Sequence, residues 1–326
     1  MTGRRHSETV SVVVPVYNSQ PALVELVKRV QTALQGAVAE LELILVNDGS
    51  SDGSWETIAE IARTHPWVRG INLMRNYGQH NALLCGIRAA RHEFILTIDA
   101  DLQHPPEEMP KLLAALLDEY DVVYGTPQRP RHDLWRRVAS WLTKLALQTT
   151  MGAETARKVS AFRAFRTELR AAFADYRGPF ISIDVLLTWS TTRFAAVHVR
   201  HDPSALSESS YRFRTLVTHA LNMMTGFSTL PLQFASLVGF VFTLFGGGVL
   251  VYVVGRYLLQ GTSVPGFPFL ASVIAIFSGA QLFALGIIGE YLARIHFRMM
   301  DRPTYAVRSA TAGDRERATL QSASGT

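Results

Sequence analysis

Between Ala220 and Gly289 the chain runs for 70 residues with a single charged side chain, Arg256. The rest of the chain's 32 Lys or Arg and all of its 27 Asp or Glu residues lie elsewhere, at the density of an ordinary globular protein. Two apolar runs, 230–257 and 267–292, are each long enough to cross a bilayer. They are joined by Leu258–Gly266, which contains Gly261, Pro265 and Gly266. Arg294, Arg298, Arg302 and Arg308 follow the second run, so charge asymmetry places both ends in the cytosol and the loop outside. A buried hairpin in a soluble protein fits runs of this length poorly. Two spans behind a domain of normal composition argue against both a fully soluble chain and a polytopic transporter. The expected organisation is a polar tail over 1–8, a cytosolic domain over 9–210 and an amphipathic juxtamembrane helix over 211–229. A transmembrane hairpin over 230–293 and a cytosolic tail over 294–326 follow, the tail disordered from Thr311 on.

Met1–Glu8 is polar and lacks the apolar core of a secretory signal. The net charge of +5 and pI near 9.5 suit an anionic partner: a membrane surface, nucleotide phosphates or nucleic acid. Cys85 is the only cysteine, which excludes disulfide scaffolds and cysteine-based metal sites and predicts a buried, small apolar residue.

Strand and helix signals alternate through the first part of the chain. Val10–Val14, Leu41–Val46, Val68–Leu73, Phe94–Ile98 and Asp121–Tyr124 are strand-like, while Leu23, Leu26, Val27, Val30 and Leu34 recur at helical spacing. Ser54–Arg63, Asn81–Ala90 and Pro106–Leu117 complete the helices. This alternation predicts an α/β fold, a mostly parallel sheet covered on both faces, with ligands at the carboxyl ends of its strands. Arg129–Thr150 is basic, Trp-bearing and amphipathic, equally suited to a membrane surface or to domain packing.

Three polar clusters fall at strand ends. Asp99-Ala100-Asp101 follows one strand, Asn47-Asp48-Gly49-Ser50-Ser51-Asp52 a second, and Pro15-Val16-Tyr17-Asn18 the first. Two carboxylates one residue apart can share a divalent cation that also holds a diphosphate. No Gly-x-Gly-x-x-Gly follows the first strand and no Gly-Lys-Ser/Thr loop occurs, which disfavours a dinucleotide fold and a P-loop.

These pieces, with Arg75-Asn76-Tyr77-Gly78-Gln79-His80, Leu102-Gln103, Pro105-Pro106-Glu107-Glu108 and two C-terminal spans, resemble the family 2, GT-A fold glycosyltransferases. The match is nearest to the polyprenyl-phosphate members, the group of undecaprenyl-phosphate aminoarabinose transferase and dolichol-phosphate mannose synthase. The resemblance covers roughly residues 9 to 305 in the family's order. It implies that Pro15, Tyr17, Asn18 and Asp48 hold base and ribose. By the same resemblance Arg75, Asn76, Gly78 and Ala100 lie near the donor, and Asp99, Asp101 and Gln103 hold Mg²⁺ or Mn²⁺. Arg131 matches a basic position for diphosphate or lipid phosphate. Homo-oligomers, tetramers among them, belong to the same resemblance.

The pattern breaks in three places. Ala156–Arg163 lacks the family's Asp, proposed as a base; Ser204 and Ser207-Glu208-Ser209 replace an Arg and a Gly-x-Ser; Ser210 replaces a basic residue. A lipid phosphate with a second pKa near 6 is mostly dianionic at neutral pH and needs positioning rather than a base. Arg200, Arg212 and Arg214 lie close enough in sequence to replace the lost Arg. The expected reaction is an inverting sugar transfer from a UDP- or GDP-sugar to a polyprenyl phosphate at the cytosolic face of the inner membrane. Alternatives are a different lipid or secondary-metabolite acceptor, or a catalytically impaired nucleotide-binding scaffold. A processive synthase is disfavoured because Gln-x-x-Arg-Trp is absent, and nucleic acid is no longer an expected partner.

Overall fold

The valine-rich run expected as the first strand forms β1, Thr9–Val16, in the middle of an eight-stranded sheet. A computed structural model describes residues 7–127, 159–178, 181–202, 230–260 and 266–311. Val10, Val12, Val13, Val14 and Val16 are fully buried, and each contributes about 1.5 kcal/mol or more through burial. Burial of successive residues means both faces of β1 are covered, the usual condition of a parallel strand. β2, Glu40–Asn47, and β4, Phe94–Thr97, flank β1 in parallel, and β3, Val68–Leu73, lies parallel beyond β2.

The connecting helices divide between the two faces because side chains alternate along each strand. Val10, Val12, Val14 and Val16 point into one core with α1, Gln20–Leu34, α2, Ser54–Thr64, and α4, Met109–Asp118. Val13, Ile44, Val46 and Ile71 point into the other with α3, Gln79–Ala89, and α5, Ile183–Thr188. Cys85 is buried in this second core, as expected of a lone cysteine.

Three strands complete the far side: β5, Val122–Pro127, β6, Arg163–Arg166, and β7, Phe194–Val199. The order is β7-β5-β6-β4-β1-β2-β3-β8, where β8 is Val307–Ala310. β6 runs antiparallel between β4 and β5, and β8 runs antiparallel to β3. Neither β6 nor β8 stands out in the sequence. Arg163 occupies a fully buried β6 position and spoils its apolar pattern, and its charge is matched there by buried Asp184. β8 is four residues long and half-exposed, so only the open edge of β3 makes it a strand.

The two apolar runs form α6, Leu230–Gln260, and α7, Phe267–Met299, both long and apolar enough to cross a membrane. They pack as a hairpin, with Phe242 edge-on to Phe277 at 5.6 Å. Gly246 lets the Phe277 ring approach, since a Cβ there would lie 2.7 Å from it. α7 continues past the expected end at Leu292, and Glu290 accepts from Arg294 at 2.7 Å one turn on. The basic segment over 129–150 and the juxtamembrane segment over 211–229 lie outside the described residues.

At the amino edge of the sheet, Glu42 is buried and accepts from Ser11 Oγ at 2.8 Å, from the Arg91 amide at 3.2 Å and from the Arg69 guanidinium. Removing one member of a buried ion pair strands the other charge in a low dielectric. Glu42→Ala should therefore lower the unfolding free energy by about 3–5 kcal/mol in chemical denaturation. Glu60→Ala, which breaks the exposed pair with Arg63, should leave the midpoint unchanged.

Candidate active site

β4, β1, β2 and β3 are neighbours and point the same way, so Asp99, Tyr17, Asp48 and Arg75 emerge side by side along one edge. The expected convergence of the strand-end clusters is thus met by the topology. Asp48 is the hub. Its carboxylate accepts from the Tyr77 amide at 2.7 Å and the Gly78 amide at 2.8 Å, drawing the loop after β3 over the end of β2. Burial pushes the Asp48 carboxyl above its ordinary range, and the two amides oppose that shift.

Gly49 makes this closeness sterically possible. Its φ is +67°, and a Cβ would lie 2.4 Å from the Asn76 amide nitrogen. Asn47 supports the turn from below, donating from Nδ2 to Asn72 at 2.8 Å and accepting from Ser50 Oγ at 2.5 Å. Asn18, in the left-handed region, accepts from the Ser51 amide at 2.9 Å and donates its own amide to Ser50 Oγ at 3.0 Å. Pro15 is buried in β1, whereas Tyr17 is about half exposed at the mouth. Arg75 lies over the Tyr77 ring at 4.6 Å, and Asn76 accepts from the Gly78 amide at 3.0 Å.

The second half of the edge is acidic. Asp99 and Asp101 are half-buried around buried Ala100. Burial and the neighbouring Asp101 push the Asp99 carboxyl up to about 6, against the pull of Arg163. Gln79 Nε2 donates to Asp99 Oδ1 at 2.6 Å, joining the start of α3 to the acidic pair. Asp101 accepts from the Gln103 amide at 3.0 Å across Leu102, whose φ of +59° bends the chain at this point. His104 stacks on Phe162 and meets His201 edge-on at 5.0 Å; burial, then His201, push its pKa down to about 4. The Asp202 amide donates to the Gln103 carbonyl at 2.8 Å, so the segment after β7 closes the same edge.

Asp99, Asp101 and Gln103 carry hard oxygen donors of the kind that Mg²⁺ or Mn²⁺ takes. Among the described residues no group of three or more His, Cys, Asp or Glu is placed to hold a metal. A cation here would draw its remaining ligands from phosphate and water, the usual arrangement for Mg²⁺. Burial first, and the adjoining Asp101 second, disfavour ionised Asp99, and such a cation would offset both.

Arg200 lies on the same edge but is engaged, 3.2 Å from Asp202 and 3.9 Å from Glu107, which is itself held by Arg29 at 2.7 Å. Arg131, Arg212 and the altered Ser204–Ser210 segment lie outside the described residues. Sequence reasoning passed over two contributors. Gln79 sits inside the Arg75–His80 motif, but its bond to Asp99 depends on where α3 begins. Asp184 has no motif at all; it accepts from Tyr124 at 3.1 Å and pairs with Arg163, holding α5 against the sheet behind Asp99.

The family model of glycosyl transferase family 2 matches residues 11–176, just over half of the chain and all of the strand ends described above except β7 and β8. The chain belongs to glycosyl transferase family 2. Its mostly parallel mixed sheet is the GT-A fold, with two apolar helices after the catalytic domain. Among solved structures it is similar to glucosyl-3-phosphoglycerate synthase from Mycobacterium tuberculosis. The complex of that enzyme with Mn²⁺, UDP and glucosyl-3-phosphoglycerate superposes with a TM-score of 0.51 at 18% identity, over 67% of this chain and 78% of that one. Its complex with Mn²⁺, UDP-glucose and phosphoglyceric acid gives 0.49 at 20% identity, over 67% and 80%.

A methyl group at Gly49 would press on the Arg75–Asn76 backbone in a conformation that L side chains avoid. Gly49→Ala should push the loop off Asp48 and weaken nucleotide binding roughly tenfold or more, as a steric strain of about 1–3 kcal/mol implies. Titration with UDP and GDP in the presence of Mn²⁺ checks this.

Proposed function

We propose that the chain transfers a sugar, with inversion, from a UDP- or GDP-sugar to a polyprenyl phosphate at the cytosolic face of the membrane. The observation that carries this reading is where α7 meets the domain. After Met299 the chain turns, and Val307 pairs with Leu73 at the carboxyl end of β3, two residues before the loop 75–78. The strand that follows the second apolar helix, eight residues beyond Met299, therefore joins the sheet at the same edge as Asp48, Asp99 and Asp101. A phosphate headgroup held at the bilayer surface would have its reacting oxygen on the side where the donor binds.

In this reading Asp48 and Asn18 shape the pocket for base and ribose, with Pro15 and Tyr17 forming its wall. Arg75, Asn76 and Gly78 line the donor side, and Asp99, Asp101 and Gln103 hold Mg²⁺ or Mn²⁺ beside the diphosphate. The cation supplies charge neutralisation for the departing diphosphate. The mycobacterial synthase of the same fold carries Mn²⁺ and UDP in its crystal, which favours a uridine nucleotide and that metal here.

An oxygen of the lipid phosphate attacks the anomeric carbon, and the bond from that carbon to the nucleoside diphosphate breaks on the opposite face. At neutral pH the attacking oxygen carries no proton, because the second pKa of a phosphate monoester is near 6. The absence of a carboxylate from Ala156–Arg163 is then no obstacle. What the site must supply is alignment and positive charge. Arg131, Arg200 and Arg212 are the proposed sources, and Arg200 would exchange its carboxylate partners for phosphate. The proposed organisation is a cytosolic domain over 9–210, a juxtamembrane helix over 211–229, a hairpin over 230–293 and a tail over 294–326, in a homo-oligomer.

Membranes containing the protein, supplied with labelled UDP- and GDP-sugars and undecaprenyl phosphate, should move label into an organic-extractable lipid. EDTA should stop the transfer, and Mn²⁺ or Mg²⁺ should restore it. Asp101→Asn should reduce turnover by at least about a hundredfold, the scale of removing one transition-state charge stabiliser, with the melting temperature unchanged. Nucleotide binding without transfer to any lipid would instead favour a binding scaffold.

A further inference from the structure

The segment between α7 and the end of the described chain, expected as part of a tail, is bonded to the catalytic domain at Asp301 and from Tyr305 to Thr311. Asp301 accepts from Arg177 at 2.7 Å. Tyr305 packs on the second core, with the Arg88 guanidinium 5.8 Å from its ring centre. β8 then extends the sheet along β3, with Ser309 opposite Asn72 and Ala310 opposite Ile71. Beyond it, the Thr311 hydroxyl accepts from the Gly70 amide at 3.0 Å.

The critical contacts fall on Met74, the first residue after β3. Its amide donates to the Ala306 carbonyl at 2.9 Å, and its carbonyl accepts from Arg308 at 2.9 Å. Both backbone polar groups of Met74 are thus held by the segment that follows α7. The next residues are those that reach the site. Tyr77 and Gly78 donate to Asp48, and Gln79 donates to Asp99. A run of backbone and side-chain bonds therefore leads from β8, through Met74 and the loop after it, to both carboxylate centres of the edge.

We propose that β8 is a positioning element for the donor-binding loop 75–78, with Arg308 its principal residue, so that the seating of α7 in the bilayer bears on donor affinity. This rests on reading loop 75–78 as part of the donor site. Arg308 touches neither donor nor acceptor; it acts through the Met74 carbonyl. Fixing one end of a short loop lowers the conformational entropy that the loop loses on binding a ligand. Loss of the Arg308 bond should accordingly appear in donor affinity rather than in the chemical step.

The test uses the full chain in nanodiscs of anionic lipid containing undecaprenyl phosphate. Wild type, Arg308→Ala, Arg308→Lys and a chain truncated after Pro303 are compared, with the remote Arg63→Ala as control. Titration with UDP and with GDP in Mn²⁺, donor KM, kcat and melting temperature are measured. For Arg308→Ala the nucleotide Kd and donor KM should rise roughly fivefold, the effect of losing about 1 kcal/mol of charge-assisted hydrogen bonding. Acceptor KM, kcat and melting temperature should hold. Arg308→Lys should recover part of the loss, truncation should exceed it, and Arg63→Ala should match wild type. Unchanged donor KM in both Arg308→Ala and the truncated chain overturns the proposal. So does a fall in kcat and melting temperature together for Arg308→Ala, which marks a purely structural role. Failure of the donor-site reading is distinguishable, because the unmodified chain would then bind neither nucleotide.

Discussion

A nearly sealed carboxylate at the end of β2 holds the working edge of this protein together. Asp48 accepts two successive amides from the loop after β3, and that loop in turn sends Gln79 to Asp99 at the end of β4. The geometry works because Gly49 has no side chain to hold the two backbones apart. Two strand ends are tied through backbone groups that would otherwise be unsatisfied donors in a partly buried place. Asn18, Ser50 and Asn47 extend the same bonding to β1. The edge is consequently a bonded unit rather than a set of independent loops, as a site that must align a donor requires.

Charge is distributed along the sheet with a clear division of labour. At the amino edge the buried Glu42–Arg69 pair is complete and serves packing. At the carboxyl edge burial, and then the adjoining Asp101, disfavour ionised Asp99, and Arg163, turned toward Asp184, opposes this only in part. The net effect is unfavourable for the isolated fold and useful to a protein that binds a cation with a diphosphate. The aromatic and histidine stack of His104, Phe162 and His201 walls the same region.

Much of the architecture was legible because the parallel core obeys simple rules. Continuous apolar runs of strand length alternating with amphipathic helical spacing gave β1 to β5 and α1 to α4 within a few residues of their bounds. The apolar helices α6 and α7 were plain from length and charge depletion. β6, β7, β8 and α5 escaped, and for β6 and β8 the reason is that their state is decided by distant neighbours. β6 contains buried Arg163, acceptable only beside Asp184, and β8 has a pattern too short to specify anything without the edge of β3. At the site, the motif residues were legible, while the Gln79–Asp99 bond and the engagement of Arg200 by Asp202 and Glu107 were not, since they join residues far apart in sequence.

The sequence by itself determined that a covered parallel sheet precedes two membrane-length helices, and that polar clusters end several of its strands. Local chemistry suffices for that, because periodicity, charge depletion and turn residues act over a few positions. Tertiary structure alone decided which strand ends are neighbours and on which edge the second apolar helix rejoins the domain. Strand order is a property of long-range pairing, and it places Val307 against Leu73 more than 200 residues away. That pairing brings the strand that follows the second apolar helix beside the residues bonded to Asp48 and Asp99.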